Sequence, residues 1–505
     1  MTDFAIQKTT TSETEGNRYR SILKSSSLIG GASVLNILIG MLRTKFVAIL
    51  LGTTGVGLMG MYVQITGLIG TVSGMGLASS GVRQVAEAVG SHNDERIARS
   101  VITLRRMVWL TGGIGMLTMI IFCAPISKIS FNSSDYTLPI ALLGGTILLS
   151  AIASGQACML QGTRRIADLA RISVIGAVNG TLISIPCFYF WGKQGIVISL
   201  ILCAVALLAT SWWFARRVPI KAITLPWRAS RDEARQLLSL GIGFMGAGLV
   251  ATLASYLIRV MLLRKFNLSD VGIYLSAYGL SGVLVGFVLT AMGTDYYPRL
   301  TAVASDNTSV RQMVNEQTDV SILLAFPCLV AMMIFAPLLI RIFYAESFFA
   351  AIPILRWCIL GILGRVFSWP LGFVILAKGK GRLFFITELL ASAYHVVAVY
   401  YFVSFWGLNG AGIAFMSLYL FYTLLMLVVM RGLVGAIWSR HTLMQVFFSV
   451  TVIVILFFSC SINFNSIVVW GGNLGIMSLV SFYCIQQLSH KSGMGLNEIF
   501  SKFRP

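Results

Sequence analysis

The chain has 505 residues, of which 57% are hydrophobic and 11% charged, and its formal net charge is +20. Its mean hydropathy is +0.84. Soluble domains carry roughly 25% charged residues, so the composition excludes a soluble globular protein and points to a polytopic membrane protein.

Residues 1–21 are polar, include Thr9-Thr10-Thr11-Ser12, and lack the apolar core of a cleavable signal. They read as an unstructured cytosolic tail. A membrane-crossing helix needs about 20 apolar residues. Fourteen such stretches start near residues 22, 56, 107, 137, 170, 195, 237, 271, 320, 351, 382, 411, 445 and 466. None shows the ten-residue alternation of barrel strands, so the expected fold class is an all-α integral membrane protein. The first six spans form an N-lobe over 22–215. A basic connector, 216–236, follows; its Pro219, Pro226 and Arg231-Asp232-Glu233-Ala234-Arg235 predict a short surface helix. Spans 7 to 12 form a C-lobe over 237–431. Spans 13 and 14 fill 432–487 as an appendage, and residues 488–505 form a second cytosolic tail. In that tail Leu496, Ile499, Phe500 and Phe503 have the spacing of a membrane-surface helix, although a frayed polar terminus fits equally well.

Lys and Arg concentrate in the N-terminal tail, in 83–106, 164–171, 216–235, 299–311, 378–382 and 431–440, and in the C-terminal tail. The alternate connections hold Lys128, Lys193, Arg264, Lys265 and Arg341. By the positive-inside rule both termini face the cytosol. Basic residues spread over many short segments make no nucleic-acid footprint, so no nucleic-acid partner is expected. The eight cysteines sit in apolar stretches without metal spacing, and the four histidines are scattered. Neither a metal site nor a cofactor is called for.

The chain also repeats itself. Phe190-Trp191-Gly192-Lys193-Gln194-Gly195 returns 215 residues later as Phe405-Trp406-Gly407-Leu408-Asn409-Gly410, and Val56-Gly57 returns as Val271-Gly272. At an offset of 216 the pairs Asn36/Thr252, Arg43/Arg259 and Arg83/Arg299 line up. So long a period means two homologous six-helix lobes, the internal symmetry of many secondary transporters. Gly70-xxx-Gly74 and Gly282-xxx-Gly286 have the spacing of close helix contacts.

Ionisable residues inside a bilayer are functional candidates by default. Here Arg43, Lys45, Arg259, Arg356 and Arg365 outnumber Glu388 and Asp295, which predicts a positive interior that selects anions. Asn36 and Arg43 lie two helical turns apart on one face, as do Thr252 and Arg259, with Ser255 between them. Each lobe thus offers a polar strip ending in Arg. These strips either line one cleft or let their Arg snorkel to headgroups. Arg365 lies near the middle of span 10 and has no such exit. Arg356 falls on roughly the opposite face of that helix, and Lys45 on a different face from Arg43. Glu388 either binds a coupling ion or pairs with Arg365 or Lys380. Asp295 is a second ion-coupling candidate or a partner at the inner mouth. Arg83 and Arg299 mark the cytosolic entrance. No P-loop and no paired outward carboxylates are present. A membrane glycosyltransferase or polymerase would have to use outward acids such as Asp135 and Asp270, and a cation-type multidrug exporter would want an acid within the first lobe.

Gly40-Met41-Leu42-Arg43 leading to Leu51-Gly52, then Gly55-Val56-Gly57, resembles the opening of the polysaccharide flippases of the multidrug/oligosaccharidyl-lipid/polysaccharide exporter superfamily. Val271-Gly272-Ile273-Tyr274, Tyr297-Pro298-Arg299-Leu300 and Ala377-Lys378-Gly379-Lys380-Gly381-Arg382 extend the resemblance to Wzx-type O-antigen translocases over about 22–490. The resemblance implies two six-helix lobes plus two C-terminal helices. It also implies alternating access through a cationic central cavity, and an undecaprenyl-diphosphate-linked oligosaccharide moved from the cytosolic to the periplasmic leaflet of a bacterial inner membrane. It further implies contact with membrane lipid and with polysaccharide assembly machinery, and a functional Arg at position 43.

Overall fold

The computed structural model describes residues 3–221, 223–226, 230–462 and 467–492. The described chain is helical throughout its membrane-crossing parts: α1 (Asp3–Gly74), α2 (Leu77–Gly90), α3 (Asp94–Ile121), α4 (Cys123–Phe131), α5 (Thr137–Gly162), α6 (Ile166–Trp191), α7 (Gly195–Ala215), α8 (Arg231–Lys265), α9 (Leu268–Ala302), α10 (Asn307–Ile334), α11 (Ala336–Phe343), α12 (Ala351–Ala377), α13 (Gly381–Trp406), α14 (Asn409–Leu433), α15 (Arg440–Ile462) and α16 (Ile467–Ser492). Twelve helices among the described residues are long and apolar enough to cross a membrane. One of them, Gly31–Gly74, has 44 residues and is broken at Gly52, whose φ of 64° is the left-handed conformation that glycine adopts without cost. With α1 divided there and the 35-residue α9 included, the fourteen expected spans are in place.

The repeat meets the same break by different means. In the second copy α8 ends at Lys265, and Asn267, 215 residues after Gly52, caps α9 by accepting the Asp270 amide at 3.1 Å. The Phe-Trp-Gly motif is also a backbone device. Gly192 and Gly407 end α6 and α13 with φ of 52° and 57°. A Cβ on Gly195 would lie 2.1 Å from the Cys187 carbonyl oxygen, and one on Gly410 would lie 2.2 Å from that of Phe402. One glycine turns the chain and the other lets the next helix start against the last.

Two compact units divide the chain: Met1–Leu51 with Met61–Leu249, and Gly52–Gly60 with Val250–Pro505. In the first, α3 packs on α5, α2 lies against both, and α5 and α6 flank α7. Leu77, Val85, Val101, Leu104, Met159 and Leu237 form its buried core. In the second, α12 is the central helix, packed against α9, α10 and α14, while α13 lies on α14. Its core joins Tyr296, Leu300, Val314, Leu371, Ile375, Met426 and Met430. α15 and α16 both pack on α10. In this second unit Gly57 and Gly272 meet at a tight crossing, where the Thr53 and Ser269 hydroxyls are 2.6 Å apart.

Several expectations are corrected. The backbone is already helical from Asp3, through the weak helix formers Thr9-Thr10-Thr11-Ser12 and with no proline to stop it. Arg231–Arg235 is not a separate surface helix but the first turns of α8, which runs on through Gly241, Gly243, Gly246 and Gly248 because no proline interrupts it. A Cβ on Gly70, Gly74, Gly282 or Gly286 would meet nothing within 4 Å, so neither spaced pair is a helix contact. The short helices α4 and α11, which follow α3 and α10 in the two copies, went unforeseen because they fall in loops too short to count as spans. Leu496, Ile499, Phe500 and Phe503 lie outside the described residues.

Candidate functional site

A cavity of about 370 Å³ lies within the second unit, among α8, α9, α12, α13 and α14. Ser255 and Arg259 enter from α8, as their shared helical face requires. Tyr274 and Tyr278 enter from α9, Arg365 and Trp369 from α12, Glu388 and His395 from α13, and Tyr419 and Tyr422 from α14. Arg259 Nη1 donates to the Gly60 carbonyl at 2.9 Å, which fixes one edge of the guanidinium. Arg365 stands near Tyr278 and Tyr419 and makes no ion pair among the described residues. Glu388 is not paired with Arg365 or Lys380. Its Oε1 accepts the Tyr422 hydroxyl at 2.7 Å. His395 Nε2 is buried with no hydrogen-bond partner among the described residues.

The other candidates are distributed elsewhere. Thr252 is half-buried on α8 but does not line this cavity. Arg356 is also outside it: its buried guanidinium donates through Nη1 to the Cys460 carbonyl of α15 at 2.8 Å. In the first unit Asn36 Nδ2 donates to Ser173 Oγ on α6 at 2.6 Å, and Arg43 Nη1 lies against Gly180 one stretch further along α6. Residues 36 and 43 therefore share a face, and so do their partners 173 and 180. Lys45 is half-buried on α1, two residues from Arg43 and so on a different face. Arg83 pairs with Glu87 at 2.8 Å and Arg299 with Asp295 at 3.1 Å, both exposed one-turn ion pairs. Asp295 thus has a local partner on its own helix.

The first unit has a cavity of about 610 Å³ where glycines and hydroxyl side chains such as Gly67, Thr71, Ser73, Thr111 and Ser150 alternate with apolar ones such as Val63, Ile147 and Met245. Among the described residues no carboxylate lines it. Bundles of glycine and hydroxyl side chains leave polar space without fixed charge.

One buried acid was overlooked. Asp319 on α10 is 5% exposed and lies 3.2 Å from His441 Nδ1 on α15. The stretch read as span 9 starts at 320, which left this carboxylate just outside the set considered. Asp319 is buried but His441 is 55% exposed, so removing the carboxylate strands no buried group and forfeits only the net worth of the contact, about 0.5–1.5 kcal/mol. Asp319→Ala is expected to cost about 1 kcal/mol, seen as a slightly lowered melting temperature in detergent. An unchanged melting temperature would show that the pair does not tie α15 to α10.

Residues 46–353 match the model of a family described as polysaccharide biosynthesis protein. The chain is 22% identical over 412 residues to the Lipid III flippase of Escherichia coli strain K12, covering 80% of this chain and 96% of that protein. It is 24% identical over 294 residues to the teichuronic acid biosynthesis protein TuaB of Bacillus subtilis strain 168, covering 58% and 60%. Among solved structures it superposes on the lipid II flippase MurJ in an inward closed conformation with a TM-score of 0.66 at 13% identity, covering 92% of this chain and 99% of that one. It superposes on an inward-facing multidrug transporter of the MATE family and MOP superfamily with a TM-score of 0.64 at 15% identity, covering 81% and 98%. These likenesses fix the fold.

Proposed function

The chain belongs to the polysaccharide biosynthesis protein family, and from that premise we propose that it flips an undecaprenyl-diphosphate-linked oligosaccharide, an O-antigen or related repeat unit, from the cytosolic to the periplasmic leaflet of a bacterial inner membrane. The observation that carries the reading is the pair Arg259 and Arg365 in one cavity without an ion-paired carboxylate. A guanidinium keeps its charge when dehydrated and grips phosphate oxygens through a planar fork. Two of them beside tyrosines suit a diphosphate, and the aromatic walls suit the adjoining sugar. The flippase relative supports the same class of cargo.

Movement is by alternating access, driven by a gradient or by substrate flux. Arg43 supplies the first unit's cation, with Asn36 on the same helical face and Lys45 on a different one. Arg83 and Arg299 receive the headgroup at the cytosolic entrance. Glu388, held by Tyr422, is the site of ion coupling; Asp295 is occupied by Arg299. A cation-exporting relative would carry the reverse balance of charge, and a glycosyltransferase would depend on Asp135 and Asp270.

The test is a leaflet-exchange assay. Full-length protein in liposomes is expected to move a fluorescent undecaprenyl-diphosphate oligosaccharide across the bilayer. The same glycan on a neutral diacylglycerol is expected to stay. Equal movement of both, or of neither with folded protein, overturns the diphosphate reading. Asp135→Ala and Asp270→Ala are expected to leave movement unchanged.

A further inference from the structure

A cavity of about 630 Å³ opens in the first unit among α3, α5, α7 and the start of the connector. Its floor is apolar and buried, with Leu104 and Met159 among its residues. Its rim is different. Arg105 and Trp109 stand on α3, and Trp212 and Arg216 stand at the end of α7, all exposed. Trp109 is 57% exposed and Trp212 54%, like Trp191 and Trp406 elsewhere in the chain, the exposure of rings that meet lipid and not water. A shallower cavity beside the first, lined also by Ile102, Arg106 and Leu110, shares Arg105 and Trp109 with it, so these two form the ridge between two troughs.

The guanidiniums are available. Arg216 lies 3.6 Å from the centroid of the Trp213 ring and 5.2 Å from that of Trp212, a cation–π hold that needs no acid. Neither Arg105 nor Arg216 forms an ion pair among the described residues. The polar groups inside the trough satisfy each other instead, with Ser211 Oγ donating to Gln156 Oε1 at 2.5 Å. The trough is thus dry below and cationic above. Tryptophan beside arginine at the end of membrane-crossing helices marks headgroup depth. By the distribution of Lys and Arg this end faces the cytosolic leaflet, where basic pockets between helices take anionic lipid headgroups.

We propose that this trough binds an anionic phospholipid, its phosphate held by Arg105 and Arg216 and an acyl chain lying on the apolar floor. The site is independent of the cargo cavity in the second unit and of the reading given to that cavity. The charge complementarity selects the occupant: a zwitterionic lipid fills the same floor and offers the same phosphate, but its own cationic group offsets much of the gain from two cations.

Native mass spectrometry of the full-length protein, titrated with cardiolipin, phosphatidylglycerol and phosphatidylcholine, tests this. The anionic lipids are expected to be retained and phosphatidylcholine lost. Arg105→Gln/Arg216→Gln is expected to weaken retention about thirty-fold, from roughly 1 kcal/mol per cation near the membrane surface. Arg105→Lys/Arg216→Lys is expected to keep most of it, which separates lost charge from lost folding. Arg341→Gln, at an exposed arginine paired with Glu346 away from the trough, is the neutral control. Retention that ignores headgroup charge, or that survives the double Gln change, overturns the proposal. So does displacement of the phospholipid by an equimolar amount of undecaprenyl diphosphate, which would assign the trough to the carrier lipid.

Discussion

Replacing Arg365 by Ala is expected to reduce flipping about a hundred-fold while leaving membrane insertion and melting temperature close to those of the unaltered protein. Arg365 is half-buried on α12, lines the cavity, and has no carboxylate partner to strand. Its loss therefore removes a group that acts on cargo without leaving an orphan in the fold. Truncating one side of a desolvated charge pair costs about 2–5 kcal/mol, and each 1.4 kcal/mol is tenfold, so two orders of magnitude lie inside the range. Arg365→Lys keeps the charge but loses the fork, and is expected to recover part of the rate. Arg356→Ala on the same helix gives the contrast. Its guanidinium holds the Cys460 carbonyl, so the expected loss is in thermal stability, with transport per folded molecule preserved. Leaflet exchange normalised to folded protein separates the two. A loss of rate at Arg356 with none at Arg365 would remove the cavity assignment.

Gly57→Val and Gly272→Val are each expected to prevent accumulation of folded protein. A Cβ on Gly57 would stand 2.0 Å from the Leu268 carbonyl oxygen, and one on Gly272 would stand 1.9 Å from that of Thr53. Both obstacles are backbone atoms within helical segments, so no rotamer change relieves the overlap. The crossing must open, which forfeits the Thr53–Ser269 hydrogen bond and the packing around it. Costs above 4–5 kcal/mol belong to this kind of mechanism. Gly70→Ala and Gly282→Ala meet open space and are expected to be neutral, or to gain up to about 1 kcal/mol of helix propensity. Size-exclusion profiles of fluorescently tagged variants report the difference. Normal profiles for the Gly57 and Gly272 variants would mean that the two helices do not cross at these residues.

The helices and their duplication were legible because both are written in long-range features: apolar length, and motifs returning after one fixed interval. The two-turn spacing of Asn36 and Arg43 likewise predicted that they share a face, and both meet α6. Distance across the fold was not legible. Gly57 and Gly272 were visible as a repeat match, but nothing in one dimension says that the matched residues touch. Gly70-xxx-Gly74 carried the familiar spacing and faces a cavity instead. Arg356 and Arg365 are nine residues apart on one helix, and sequence placed them on opposite faces; which face met the cavity depended on where α15 packs. Asp319 was lost to a boundary drawn one residue too late. Its partner His441 lies over a hundred residues away, beyond any local pattern.

The paired breaks at Gly52 and Asn267 carry a consequence for how the two halves drift. The first copy turns by backbone torsion, which admits essentially one amino acid. The second turns by a side-chain acceptor, which Ser, Thr or Asp supplies nearly as well. Random substitution is therefore filtered more severely at the first junction than at the second. A saturation library over both codons is expected to yield one surviving residue at 52 and several at 267, so that two equivalent joints differ in what they tolerate.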